Sequence, residues 1–142
     1  MATPAYDQSN IFAKILRGEI PSTKVFEDAH VLVIMDVMPQ GQGHTLVIPK
    51  AQSRNLLDIG EDDLKRAIFV VQRVARAVRK AFDAPGVFVM QFNEPAGGQT
   101  VFHTHFHVIP RFDDVPLKPH VGGMADPTVL KQHAEKIKAA MG

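Results

Sequence analysis

The amino-acid sequence predicts an α+β domain with a five-stranded, mainly antiparallel sheet, one long helix, a short N-terminal helix and a C-terminal helix. Three observations carry that prediction. Five short runs rich in Val, Ile, Phe and Thr are punctuated by Gly, Pro, Asp and Asn, as strands joined by tight connections are. Between Glu61 and Phe82 the period changes to an unbroken i, i+3, i+4, i+7 apolar pattern, which only a helix satisfies. Asp126-Pro127 then places a capping acid before a first-turn proline, opening a last helix through about Met141.

In chain order, Met1 to Ser9 is polar and reads as a disordered lead. Asn10 caps a short helix, Ile11 to Arg17, which Gly18 and Pro21 stop. Ile11, Phe12, Ile15 and Leu16 share one side of it, either as a core anchor or as the wall of a pocket for an apolar base. Lys24 to Glu27 and Val31 to Met35 form two strands across the connection Asp28-Ala29-His30, where His30 is a solvated turn residue. Asp36 follows the second strand and either caps a turn or accepts the hydroxyls of a ribose. After the loop Met38 to Gly43, His44 to Pro49 is the third strand; His44 taken alone is a polar edge residue.

The long helix starts from a capping box at Asp58 or from Gly60. Its predicted buried stripe is Leu64, Ala67, Ile68, Val71, Val74, Ala75, Val78, Ala81 and Phe82, with a basic solvated face opposite. Phe69 and Val70 fall outside the stripe as a second apolar patch for a partner chain. Val87 to Phe92 is the fourth strand. The fifth carries His103, His105 and His107 at alternate positions among Phe102, Thr104, Phe106, Val108 and Ile109. Residues 113–123 form an irregular arm, which lies over the active site or over a neighbouring subunit; His120 and His133 are expected at the surface.

The 142 residues suffice for one domain, residues 1–142, with its core at about 9–112 and the arm and last helix at about 113–142. A chain of that length buries about 68 to 70% of its unfolded surface without staples. With no Cys, thiol catalysis and thiolate metal sites are excluded. A net charge of +1 argues against bulk nucleic-acid binding. No apolar run approaches the roughly 20 residues that span a bilayer, and Met1 to Asn10 has no secretory h-region, so a cytoplasmic location is expected.

Side chains two apart on a strand project the same way about 6 to 7 Å from each other, the span of a phosphate or a metal ion. Pro95-Ala96-Gly97-Gly98, a turn-prone loop, precedes the imidazole row, and its glycine N–H groups can converge on an anion. Two chemistries compete. A catalytic metal wants a carboxylate with the histidines, and locally that partner is missing. Phosphate chemistry uses Gly98, Gln99 and Thr100 as donors and a neutral imidazole as nucleophile, His105 attacking phosphorus while a flanking histidine steadies the oxygens.

His103-Thr104-His105-Phe106-His107-Val108-Ile109 resembles the signature of the histidine triad (HIT) family. The similarity extends to Ile11-Phe12, Lys14-Ile15, Gly18-Glu19-Ile20-Pro21, Gly43 to Lys50 and Gly98 to Val101. The resemblance implies a HIT-like fold and a homodimeric nucleotide-binding hydrolase, or a nucleotidyl transferase or a regulatory nucleotide-binding module. Its substrate would be a purine nucleoside monophosphate conjugate, attacked at the α-phosphate. His105 would be the nucleophile, His107 and His44 would contact the α-phosphate, and His103 would orient the network. Gln99 and Thr100 would lie near the phosphate or leaving group, and Asn93 would hold the sugar-phosphate. Asp36 would take the ribose hydroxyls, with Phe12, Ile15, Ile34 and Val37 around the base. Asn93 also resembles the phosphoramidase-like branch. Many bacterial relatives bind a structural zinc, but Asn10, Ala13 and Gln52 stand at the corresponding positions, which implies no metal and no cofactor and leaves His103 for hydrogen bonding.

Overall fold

A computed structural model describes residues 1–119 and 123–142, so His120 lies outside the described residues. The elements are α1 (Ile11–Leu16), β1 (Lys24–Glu27), β2 (Val31–Met35), β3 (Thr45–Pro49), α2 (Glu61–Ala81), β4 (Gly86–Met90), β5 (Phe106–Arg111) and α3 (Pro127–Met141). The strands form one sheet in the order β1-β2-β3-β5-β4, and every neighbouring pair is antiparallel. None of the described helices is long and apolar enough to cross a membrane.

The central strands are covered on both faces. Val31, Val33, Met35, Val47, Phe106 and Val108 pack under α2 and α3, while Leu32, Ile34, Leu46 and Ile48 pack with Phe12 of α1. Burial on both sides erases the polar alternation of a half-exposed strand, which is why β2 and β3 read as continuous apolar runs. Each buried branched side chain there stabilises the fold by about 1.5 to 3 kcal/mol.

Several expected boundaries shift. The third strand starts at Thr45, and His44 is wholly buried before it, not a polar edge residue. The fourth spans Gly86–Met90, shorter than predicted, because Gln91 and Asn93 pair with each other by their side-chain amides. The fifth begins only at Phe106, so His103 and His105 precede it and His107 alone of the three lies within it. Pro95–Gly97 is a single 3-10 turn between Glu94 and Gly98, both at positive φ.

Of the two candidate helix starts, Gly60 is the N-cap of α2; Asp58 instead accepts from the backbone N–H groups of Arg54 and Asn55. The buried stripe is Ala67, Val70, Val71, Val74, Ala77 and Val78. It is rotated from the prediction: Val70 faces the core, and Ile68 and Phe69 are the exposed pair. α3 packs beside α2, and its Leu130, Ala134 and Ile137 share one core cluster with Val70. His133 is half-buried edge-on against Phe82, not a free surface residue. Among the described residues, Lys118 N–H donates to Gln40 O (2.7 Å) and Ala125 N–H to Val37 O (2.9 Å), and these two contacts brace the loop between β2 and β3.

Candidate active site

The four histidines come together although three of them lie outside any strand. His105 sits 4.7 Å from Phe12 and 5.1 Å from His107 between ring centroids, and His107 is 5.1 Å from His44. His103 meets Phe12 edge-on at 6.5 Å. His44 joins through sheet topology: it lies two residues before Leu46, the register partner of His107. A cavity of about 360 Å³ opens in front of His105 and His107. Its walls are Ile11, Phe12 and Ile15 of α1, Ile34, Asp36, Val37 and Leu46 from the sheet side, and Phe92, Gly98, Thr100 and Val101 from the opposite loop. Asn10 positions the α1 wall by accepting from Ala13 N–H at 2.9 Å, the expected N-cap.

Backbone groups that can only donate or only accept fix the tautomers. Gln40 N–H donates to His44 Nδ1 (3.0 Å), so the proton of neutral His44 is on Nε2. Nε2 lies 2.9 Å from His107 Nδ1 and donates to it, which puts the His107 proton on its own Nε2. His105 Nδ1 lies 2.6 Å from the carbonyl of His103 and must donate, leaving the lone pair on Nε2. His103 Nε2 donates to Pro49 O (2.7 Å), and its Nδ1 accepts from the Tyr6 hydroxyl (2.5 Å). Burial pushes His103 down to about 4, so it is neutral at pH 7. His105 and His107 thus both line one cavity, their neutral rings protonated on different nitrogens, His105 on Nδ1 and His107 on Nε2.

Some predicted site residues do other work. Gln99 is buried and all its capacity is spent inside the protein: Oε1 accepts from Asn55 Nδ2 and Glu94 N–H, and Nε2 donates to Arg54 O and Val101 O. It braces the loop and does not line the cavity, whereas its neighbours Gly98 and Thr100 do. Asn93 Oδ1 accepts from Leu56 N–H and Gln91 Nε2, so its amide is likewise committed to the scaffold. His44 stands behind His107 and His103 behind His105; neither ring lines the cavity. Around Gln99, Arg54 pairs with Glu94 (2.8 Å), whose carboxyl is held low by that contact, and stacks over Phe102 at 4.1 Å. Ser53 Oγ and Thr104 Oγ1 lie 2.7 Å apart under the histidine segment. Sequence reading missed Ser53, Arg54 and Asn55 because nothing local separates them from ordinary loop residues.

Asp36 meets the first of its two expected possibilities. It caps its turn through Met38 N–H (2.9 Å) and sits at the cavity wall, with Oδ2 3.4 Å from His44 Nε2. The carboxylate that local sequence lacked is therefore supplied by a neighbouring strand. Asp36, His44 and His107 each offer an atom within 4.8 Å of the others, a geometry that could hold a metal ion. Gln40 N–H works against it, since it occupies the Nδ1 lone pair and keeps a proton on the Nε2 that faces the group. Near His103, Ala13 and Gln52 line a separate pocket of about 180 Å³ with Tyr6. Ala13 has no donor atom and both His103 nitrogens are engaged, so these residues do not make a zinc site. Tyr6 belongs to the predicted disordered lead, yet it is packed edge-on to His103 at 5.6 Å.

The family model for the HIT domain matches residues 17–114. A crystal structure of a Hit-like protein involved in cell-cycle regulation from Bartonella henselae, with an unknown ligand, is similar at TM-score 0.90 and 53% identity, covering 96% of this chain and 99% of that one. A zinc-bound histidine triad family protein from Mycobacterium smegmatis is similar at TM-score 0.83 and 34% identity, covering 94% of each chain. The adenosine 5′-monophosphoramidase HNT1 of Saccharomyces cerevisiae is 37% identical over 115 residues, which is 80% of this chain and 70% of the yeast protein.

Proposed function

The chain belongs to the HIT domain family, and on that premise we propose that it is a metal-independent hydrolase of nucleoside 5′-monophosphate conjugates. Phosphoramidates, acyl-nucleotides and dinucleoside polyphosphates are the substrate classes, and the similarity to the yeast phosphoramidase favours the first. The observation that carries the reading is the opposed protonation of His105 and His107 beside one cavity. A nucleophile and an anion donor are what an attack at phosphorus needs together.

The His105 Nε2 lone pair forms the N–P bond while the bond from phosphorus to the leaving group breaks, its electron pair departing with that group. Water then displaces the imidazole, so its hydroxide ends on the phosphate and its proton on the leaving group. His107 Nε2–H and the Gly98 loop hold the phosphoryl oxygens, with Thr100 at the same mouth. The apolar walls, Phe12, Ile15, Ile34 and Val37, take a purine base, and Asp36, a carboxylate on the same cavity wall, takes the ribose hydroxyls. His44 and His103 act through the rings and carbonyl in front of them. A cytoplasmic location goes with substrates of this kind.

A homodimer is part of the proposal. Ile68 and Phe69 of α2 and Phe88 and Val89 of the edge strand β4 are exposed large apolar residues on packed neighbours. Sedimentation velocity checks this: a dimer for the native chain and a monomer for Phe69→Glu are expected, and a monomeric native chain rejects it.

His105→Asn is expected to abolish turnover while nucleoside monophosphate binding stays within about tenfold, because the base and ribose contacts remain. Normal turnover in that variant would remove His105 from the role. Excess chelator should leave activity unchanged; loss that zinc restores would return the metal to the mechanism.

A further inference from the structure

The Tyr6 hydroxyl is 97 residues from His103 in sequence and touches it at hydrogen-bonding distance. Because His103 Nε2–H is committed to Pro49 O, Nδ1 is an acceptor and Tyr6 must donate. Tyr6 is oriented in turn: Asn10 Nδ2 donates to its oxygen at 3.0 Å, and Asn10 Nδ2 also holds Asp7 O at 2.8 Å. Arg17 fastens the same segment through Gln8 O. Burial raises the Tyr6 hydroxyl above its ordinary range, which keeps it a donor. The His103 ring is thereby held at both nitrogens, and the His103 carbonyl is the acceptor that places the proton of His105 on Nδ1.

We propose that Tyr6 is a positioning residue for the nucleophile: its hydroxyl pins the His103 ring, and through the His103 carbonyl it sets the orientation and tautomer of His105. The proposal rests on the reading of His105 as nucleophile for its kinetic consequence, although the geometry it invokes exists without substrate. Tyr6 lines the small pocket behind His103 and not the nucleotide cavity, so it has no route to substrate affinity except through α1. That separation distinguishes positioning from scaffolding. Loss of scaffolding would loosen α1, which carries Ile11, Phe12 and Ile15 in the cavity wall, and would weaken binding.

Tyr6→Phe keeps the ring and removes only the donor. Steady-state kinetics on a nucleoside phosphoramidate should show kcat lower by about fivefold, the effect of one ordinary hydrogen bond, with KM and the Kd for the nucleoside monophosphate unchanged. A rise in KM and Kd with kcat held would make Tyr6 a helix anchor and overturn the proposal, as would no change in any of the three. Ring nitrogen spectroscopy on the full chain supplies a readout without turnover. The native protein should show His105 in the single Nδ1–H tautomer and Tyr6→Phe a mixture; identical spectra overturn the proposal. Should the native chain turn over no conjugate, the nucleophile reading falls and the spectra alone decide Tyr6.

Discussion

At Gly43 two constraints meet on one atom. Its φ is +75°, and an added Cβ would stand 2.6 Å from Phe82 Cε2, inside any permitted contact. Gly43→Ala is expected to cost about 2 kcal/mol or more in urea denaturation, from left-handed strain plus displacement of a core ring; a loss below about 0.5 kcal/mol would mean that Phe82 yields freely. Gln99 makes a second test. Gln99→Leu breaks four hydrogen bonds to the surrounding loop, and roughly 3 kcal/mol of destabilisation is expected. A merely catalytic Gln99 would lower kcat and leave stability intact. The identities of both residues were plain in the sequence, but their partners were not. Gln99 was read as phosphate-facing because a polar residue in a glycine-bearing loop looks the same whether it points at a ligand or into the scaffold. Asn93 misled in the same way, its amide being consumed by Leu56 and Gln91.

Elements with their own local signals were legible and those placed by neighbours were less so. Asn10 and Asp126 cap α1 and α3 as their sequence contexts predict, each accepting at the expected first-turn N–H. The face that α2 buries was misjudged by about one position, since periodicity gives the width of an apolar stripe and the packing partner decides which edge is covered. Val70 is buried in a cluster that includes residues of α3, remote in sequence, while Ile68 is exposed. The α1 cap yields a prediction at this scale. Asn10→Ala removes both the cap and the Tyr6 contact, and should cost about 1 kcal/mol of stability. Because α1 walls the cavity, KM should rise as well; thermal melts and initial rates check the two effects, and an unchanged KM would detach α1 from substrate binding.

Over the whole molecule, the sheet order brings together what the chain keeps apart. β2, β3 and β5 are neighbours, so Asp36, His44 and His107 converge from three strand ends, and no local pattern could announce the carboxylate. The strong clue, alternating histidines, was read only loosely as structure, since two of the three precede the strand. The buried neutral histidine also leaves a signature in global stability. The unfolded His103 ring protonates below its usual 6.5, whereas the folded ring stays neutral down to about 4. The unfolded state therefore binds more protons in that window, and stability falls as pH drops through it, by about 2 kcal/mol between pH 7 and pH 5. His133, also lowered by burial, adds in the same direction. Urea midpoints at the two pH values should fall less for His103→Gln than for the native chain; equal losses would mean that the ring is already charged or already hydrated.

The central claim is that His105 carries its lone pair into a cavity built for a nucleotide phosphate. The measurement that meets it most directly is an alkaline quench during turnover of a nucleoside phosphoramidate, which preserves an acid-labile N–P bond, followed by mass spectrometry of the peptides. A nucleoside monophosphate adduct on His105 is the predicted result. An adduct on His107 or His44 instead, or brisk turnover with none on any histidine, would contradict it.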